Sequence, residues 1–320
     1  MSAPYQPPPG EGGQSGPSYP AAQYGVPPLQ YGPPQYPPPV QYAPPGWQPN
    51  DPLVSPDYAG WWRRAIAILR VAWPQLLALE LVVAVIGTAV QTPLAVFLDR
   101  VPRRVDQSLQ SGDLGFGPGD LLAGLGAAGA SLVIGVVVAA VVSLAALRVS
   151  FAAAIGAPVR ISDGLSTAVG RLFPLLGWYL IVIPMVLVGV CACVLPGLYF
   201  AAVLSVLPAV VVFERGVGIG RCFKLFHGQF GPSVARIATI LVMYPVVGLI
   251  TSVIGSVVRA VFNVTGADDP RLIFGSAVST GVSFVGFGAL AMLTTPLLLT
   301  AYADMRARVE PFSTATLLRS

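Results

Sequence analysis

The sequence predicts an all-α, polytopic membrane protein. Six transmembrane helices are expected, written as three repeats of an amphipathic helix followed by a hairpin, behind a disordered Pro-rich N-terminal tail. Three observations predict this. The 320 residues are 54% hydrophobic and 10% charged, with a mean hydropathy of +0.72, whereas soluble domains carry about a quarter charged residues. Apolar runs near the length of about 20 residues that covers the hydrocarbon core recur along the chain. An aromatic residue and a proline open three of them, at Trp73-Pro74, Phe173-Pro174 and Phe230-Gly231-Pro232. An internal period of this kind is a stronger fold signal than any single motif.

Residues 1–56 hold eighteen prolines with Gln, Tyr and Gly between them. Such a stretch buries too little apolar surface to offset its ordering entropy, which predicts a disordered tail of polyproline II character. It has no basic n-region or apolar h-region and does not read as a signal peptide. Its Gln-Tyr and Pro-Pro units suit aromatic-lined grooves, so two readings stand side by side: a cytoplasmic protein binds the tail, or the tail is solvated without a dedicated partner.

The composition changes at Trp61. In WWRRAIAILRVAWP, Trp62, Ala65, Ile66, Leu69 and Trp73 recur at helical spacing, with Arg63, Arg64 and Arg70 elsewhere. This predicts a helix lying in the headgroup region and broken at Pro74; the alternative is the exposed first turns of a longer helix, against which Pro74 argues. Trp61, Trp62, Arg63 and Arg64 are its lipid-contact candidates. Spans follow at 75–98 and 121–149, around a polar, Gly-rich loop at 99–120.

Asp163 suits the N-cap of a second interfacial helix that ends at Phe173, with Arg171 off its apolar face. A third span, 175–194, turns tightly at Leu195-Pro196-Gly197 into a short fourth, 198–213. Glu214 marks a corner, where its carboxylate meets helix N-terminal amides or pairs with Arg221. In the third amphipathic helix Ile219, Cys222, Phe223, Phe226 and Phe230 share a face, and Arg221 and Lys224 do not. Phe226, Arg221 and Lys224, with Arg171 of the second helix, join the lipid-contact candidates. Spans at 233–261 and 272–303 complete the six, joined by a polar segment, and Pro245 and Pro296 are expected kinks. The six-helix domain is bounded at 57–310, leaving 311–320 as a short C-terminal tail.

Arginine placement orients the chain. With the N-terminus inside, the inner side receives Arg63, Arg64, Arg70, Arg148, Arg160, Arg171, Arg215, Arg221, Lys224, Arg236, Arg306, Arg308 and Arg319. The outer side keeps Arg100, Arg103, Arg104, Arg259 and Arg271. This asymmetry satisfies the positive-inside rule and predicts that both termini are cytoplasmic.

The stretch LPGLYFAAVLSVLPAVVVFE followed by GRCFKLFHGQF resembles the six-helix membrane domain of bacterial glycerophosphoryl diester phosphodiesterases and of related stand-alone membrane proteins. The similarity runs from about Gly60 to Arg308. The catalytic barrel of those enzymes has no counterpart here, so the resemblance implies a membrane fold and carries over no catalytic residue.

The residues offer little chemistry. Cys191, Cys193 and Cys222 form no metal-ligand spacing, and His227 is the single histidine, so neither metal nor cofactor is expected. Without an intramembrane His pair, HExxH, GxSxG or paired aspartates, the chain is not expected to be an enzyme. Its arginines flank apolar spans and form no patch, which points to membrane lipids as partners and away from nucleic acid.

Glu80 is the least expected residue. It lies six positions past Pro74, about 9 Å into the bilayer at 1.5 Å per residue. An intramembrane carboxylate costs roughly 2.5–3.5 kcal/mol. Arg236 and Arg148 lie at comparable depth, and two readings stand open: a structural pair fixing helix register, or a polar pocket for an ion or lipid headgroup. Glycines at 124–135 and at Gly281, Gly286 and Gly288 permit close helix packing or a homo-oligomer. The expected function is a non-enzymatic plasma-membrane protein organising lipids or partner proteins, with the Pro-rich tail as its cytoplasmic arm. The alternative is a small transporter or channel whose polar path runs near Glu80, Arg148 and Arg236.

Overall fold

The computed structural model describes residues 51–111, 117–262 and 270–317. The predicted disordered tail up to residue 50, and parts of the two polar connections, lie outside the described residues. Among the described residues the chain is helical and contains no strand. Its helices are α1 (Tyr58–Ser111), α2 (Pro118–Ala154), α3 (Ile161–Ala192), α4 (Val194–Leu204), α5 (Leu207–Phe213), α6 (Ile219–Gly228), α7 (Phe230–Val261), α8 (Arg271–Val309) and α9 (Thr314–Leu317). Six segments are long and apolar enough to cross a membrane, α4 and α5 together forming one of them, Val194–Phe213.

The spans pair as three hairpins, α1–α2, α3–α4 and α7–α8. Adjacent hairpins pack extensively along α1–α8 and α2–α3, whereas α4 and α7 touch only sparsely. The order α7–α8–α1–α2–α3–α4 is therefore a ring with one loose seam. The short amphipathic α6 packs against α4, α5, α7 and α8 near that seam.

The core gathers where both described chain ends lie. It contains Trp61, Ile68 and Leu76 of α1, Leu144 and Phe151 of α2, all of α5, and Leu297 to Ala307 along α8. At the opposite end the helices turn Val85, Leu122, Leu187, Leu249 and Val261 outward. Outward apolar side chains over that length suit acyl chains, while the helical backbone satisfies its own hydrogen bonds.

Several boundaries differ from the sequence reading. The first two amphipathic segments are not separate helices: α1 runs unbroken through Pro74, and α3 runs through Pro174. Both prolines lie on exposed faces, so each removes one backbone bond without forcing its ring into a neighbour. The polar stretch after residue 98 also stays helical, through Ser111. In α1 the buried stripe is Trp61, Ala65, Ile68, Ala72, Leu76 and Leu79, rotated from the predicted Trp62 stripe.

Packing also extends past residues 56 and 310, the bounds read from composition. Leu53, Val54 and Ser55 are buried, as are Phe312, Thr314 and Leu317. Asp51 ties the two ends together. Its carboxylate accepts from the backbone N–H groups of Leu53 and Val54 at 2.9 and 3.0 Å, and from the Thr314 N–H and hydroxyl at 2.8 and 2.6 Å.

The tight turn lies at Cys193, where extended backbone separates α3 from α4, and not at Leu195-Pro196-Gly197. Pro196 and Gly197 belong to the first turn of α4. Gly197 is a packing residue: an added Cβ would lie 2.6 Å from the Val190 backbone nitrogen. Gly197→Ala should therefore force α3 and α4 apart, costing about 1–3 kcal/mol in detergent unfolding. Gly177→Ala, with open space around it, serves as the neutral control. Equal melting of the two variants would show that the α3–α4 spacing yields freely.

Candidate functional site

Inside the ring a cavity of about 570 Å³ is lined by α1, α2, α7 and α8 and by the α4–α5 junction. Most of its wall is apolar, from side chains such as Val83, Leu241, Phe284 and Leu298. Glu80 projects into it from α1 and is 9% exposed. Hydroxyls from Ser143, Ser205, Tyr244, Thr294 and Thr295 share the lining. Several are already engaged: Ser143 donates to the Ala140 carbonyl at 3.0 Å, Ser205 to the Ala202 carbonyl at 2.8 Å, and Tyr244 and Thr294 face each other at 3.4 Å. Gly288 makes room for the acid, since a Cβ there would stand 3.3 Å from the Glu80 Cβ.

Among the described residues Glu80 has no hydrogen-bond or ion-pair partner, which removes the Glu80–Arg pair from consideration. Arg236 is instead turned to Asp304, and its Nη2 donates to the Ser55 carbonyl at 3.3 Å. Its guanidinium also lies 5.9 Å from the Trp61 ring. Arg148 lies 5.5 Å over Phe151, facing away from the cavity. The cause is geometric: Asp304 on α8 faces α7 one layer closer to the chain ends, so it takes Arg236 first. Asp304 also accepts from Arg308 at 2.7 Å.

A second layer of charge closes the same end. Glu214 meets Arg221 at 2.7 Å and accepts the Tyr302 hydroxyl at 2.7 Å. Glu310 lies between Arg221 at 2.8 Å and Arg306 at 2.5 Å. Burial alone would raise the Glu310 carboxyl, but the two arginines outweigh it and hold it below the usual range. A carboxyl depressed on folding contributes stability above its unfolded pKa, about 4.3, which is lost as pH falls below it. Glu310→Gln should thus flatten the acid limb of the stability profile between about pH 5 and 3. An unchanged acid limb in thermal unfolding would assign that limb to other carboxylates.

The lipid-contact candidates separate. Trp61 is fully buried, and its Nε1–H donates to the Leu297 carbonyl at 3.1 Å. Arg64 donates to the Asp51 carbonyl at 2.9 Å, Arg221 belongs to the ion-pair layer, and Phe226 is 2% exposed. Those four are engaged within the fold. Arg63 and Lys224 are exposed, and Trp62 and Arg171 are half-buried. The buried helix faces misled the sequence reading because Trp and Phe suit both a headgroup belt and a core. Asp304, Glu310 and Tyr302 escaped notice altogether, since near a span end they read as ordinary flanking residues.

A groove of about 470 Å³ opens on the outer face of the α4–α7 seam, lined by Leu198, Tyr199, Ala202, Phe226, Ile237 and Leu241. Leu241 lines both this groove and the Glu80 cavity. Burial of Cys222 on the inner face of α6 pushes its thiol up to about 12, which keeps it a neutral packing residue. Comparison of the chain with family models, curated proteins and solved structures finds no match in any of the three.

Proposed function

We propose that this chain is a non-enzymatic integral membrane protein that binds an amphiphile with a cationic head at Glu80. The observation that carries the reading is a buried carboxylate, without a polar partner among the described residues, facing a cavity of about 570 Å³. A carboxylate held in a membrane costs several kcal/mol, and such residues mark binding or transport paths when nothing structural compensates them. Ligand pockets share this design, an apolar enclosure with a few convergent polar groups. The loose seam and its outer groove support entry from the bilayer. This reading keeps Glu80 from the expected polar path and drops Arg148 and Arg236 from it.

The probe is dodecylamine against its neutral analogue dodecanol, with the protein in maltoside micelles. Wild type should be stabilised more by the amine, and Glu80→Gln should abolish that difference. An amine preference that survives in Glu80→Gln sinks the proposal.

We place the protein in the plasma membrane with both termini cytoplasmic, supported by the arginine asymmetry. In a background lacking Cys191 and Cys193, an impermeant thiol reagent outside the cell should label a cysteine at Ser111 and miss one at Ser162. The reverse pattern would invert the orientation. The Pro-rich composition of residues 1–50 supports a further role for that segment as an arm for a cytoplasmic partner.

A further inference from the structure

The end of the bundle that holds the chain termini has a strict charge inventory. Its carboxylates Glu214, Asp304 and Glu310 are taken by Arg221, Arg236, Arg306 and Arg308, and the buried Asp51 carboxylate by Leu53, Val54 and Thr314. Of the half-buried arginines at this end outside these pairs, Arg64 donates to the Asp51 backbone carbonyl, and Arg148 and Arg171 remain. Neither Arg148 on α2 nor Arg171 on α3 has a carboxylate partner among the described residues. Both line one pocket of about 270 Å³ between α2, α3, α5 and α9, together with Thr167, Gly170, Phe213 and Leu317. Phe213 and Leu317 close its apolar side and are themselves buried.

Among the described residues the rest of the lining adds no negative side chain. The Thr167 hydroxyl donates to the Asp163 carbonyl at 2.9 Å, which fixes its rotamer. A Cβ on Gly170 would meet nothing within 4 Å, so the helix backbone leaves the pocket open there. Two guanidiniums brought to one small concavity, each with its donors unspent on protein carboxylates, match the planar, bidentate recognition of phosphate oxygens. The volume lies just below the range for whole small-molecule ligands. It suits a headgroup-sized anion and excludes a nucleotide.

We infer that Arg148 and Arg171 form a binding site for a phosphate group, either in the headgroup of an anionic phospholipid or in a small soluble phosphate ester. This site is separate from the Glu80 cavity and does not depend on the function proposed for it.

The test uses the full chain in dodecyl maltoside, a detergent without phosphate, at matched ionic strength to remove general screening. Thermal unfolding is followed against phosphatidylglycerol mixed into the micelle, against inorganic phosphate, and against glycerol 3-phosphate. Diacylglycerol serves as the uncharged lipid control. Stabilisation by phosphatidylglycerol alone assigns the lipid source, and stabilisation by the soluble ions assigns the free one. In either case Arg171→Gln should weaken the effective probe about tenfold, the cost of one charge-assisted contact, and Arg148→Gln with Arg171→Gln should abolish the response. Arg171→Lys, which keeps charge but loses the fork, should fall between wild type and Arg171→Gln. Arg215→Gln, at an exposed arginine outside the pocket, should respond as wild type. Should the double variant fail to fold, the Arg171 pair of variants decides alone. No response of wild type to any phosphate probe, or an undiminished response in Arg171→Gln, overturns the site.

Discussion

Asp304→Asn is expected to destabilise the protein by about 3–5 kcal/mol, the cost of removing one partner from a buried ion pair. The Asp304 side chain is 1% exposed and its partners Arg236 and Arg308 are 3% and 6% exposed. Losing the carboxylate strands the Arg236 guanidinium in a place water does not reach and leaves Arg308 with the Gln229 side-chain oxygen alone. Arg236 has no reserve: its Nε already lacks a partner, and what remains is the Ser55 carbonyl and the Trp61 face. Membrane reference states reduce such costs in some proteins. Even so, Asp304→Asn should lose more stability in denaturant titration than Glu310→Gln, whose carboxylate is 32% exposed. Equal losses would mean that burial does not grade these pairs.

Truncation separates the real domain boundary from the compositional one. Deletion through residue 50 removes none of the described contacts and should leave thermal stability nearly unchanged. Deletion through residue 56 removes Leu53 and Val54, both buried, and burial of such side chains stabilises by roughly 1.5–3 kcal/mol each. It also removes the Asp51 carboxylate, which holds Thr314. The expected loss is about 3–6 kcal/mol, with α9 released in hydrogen exchange. Matching stabilities for the two deletions would show that the two chain ends do not hold one another.

The spans were legible because length and hydropathy are local properties, and all six are present. The hairpin pairing was legible from the repeated aromatic-proline entries. Boundaries were not. Proline reads as a helix breaker, yet Pro74 and Pro174 face outward, where a missing backbone bond costs little. Composition placed Leu53 in the Pro-rich tail, because only the tertiary fold brings Asp51 against Thr314. Glu80 stood out as an intramembrane acid, but its surroundings were invisible: the arginine at similar depth faces α8, where Asp304 competes for it. The Arg148–Arg171 pocket needed α3, α5 and α9 to be assembled before two distant arginines became neighbours.

The central claim is that, among the described residues, Glu80 stands outside every ion pair and faces its cavity alone. The measurement that tests this most directly is a double-mutant cycle of Glu80→Gln with Arg236→Gln, read as unfolding free energy in nanodiscs. The account predicts that Glu80→Gln alone folds at least as stably as wild type, and that its coupling to Arg236→Gln is within about 0.5 kcal/mol of zero. A coupling above about 1 kcal/mol, with Glu80→Gln strongly destabilising on its own, would contradict it.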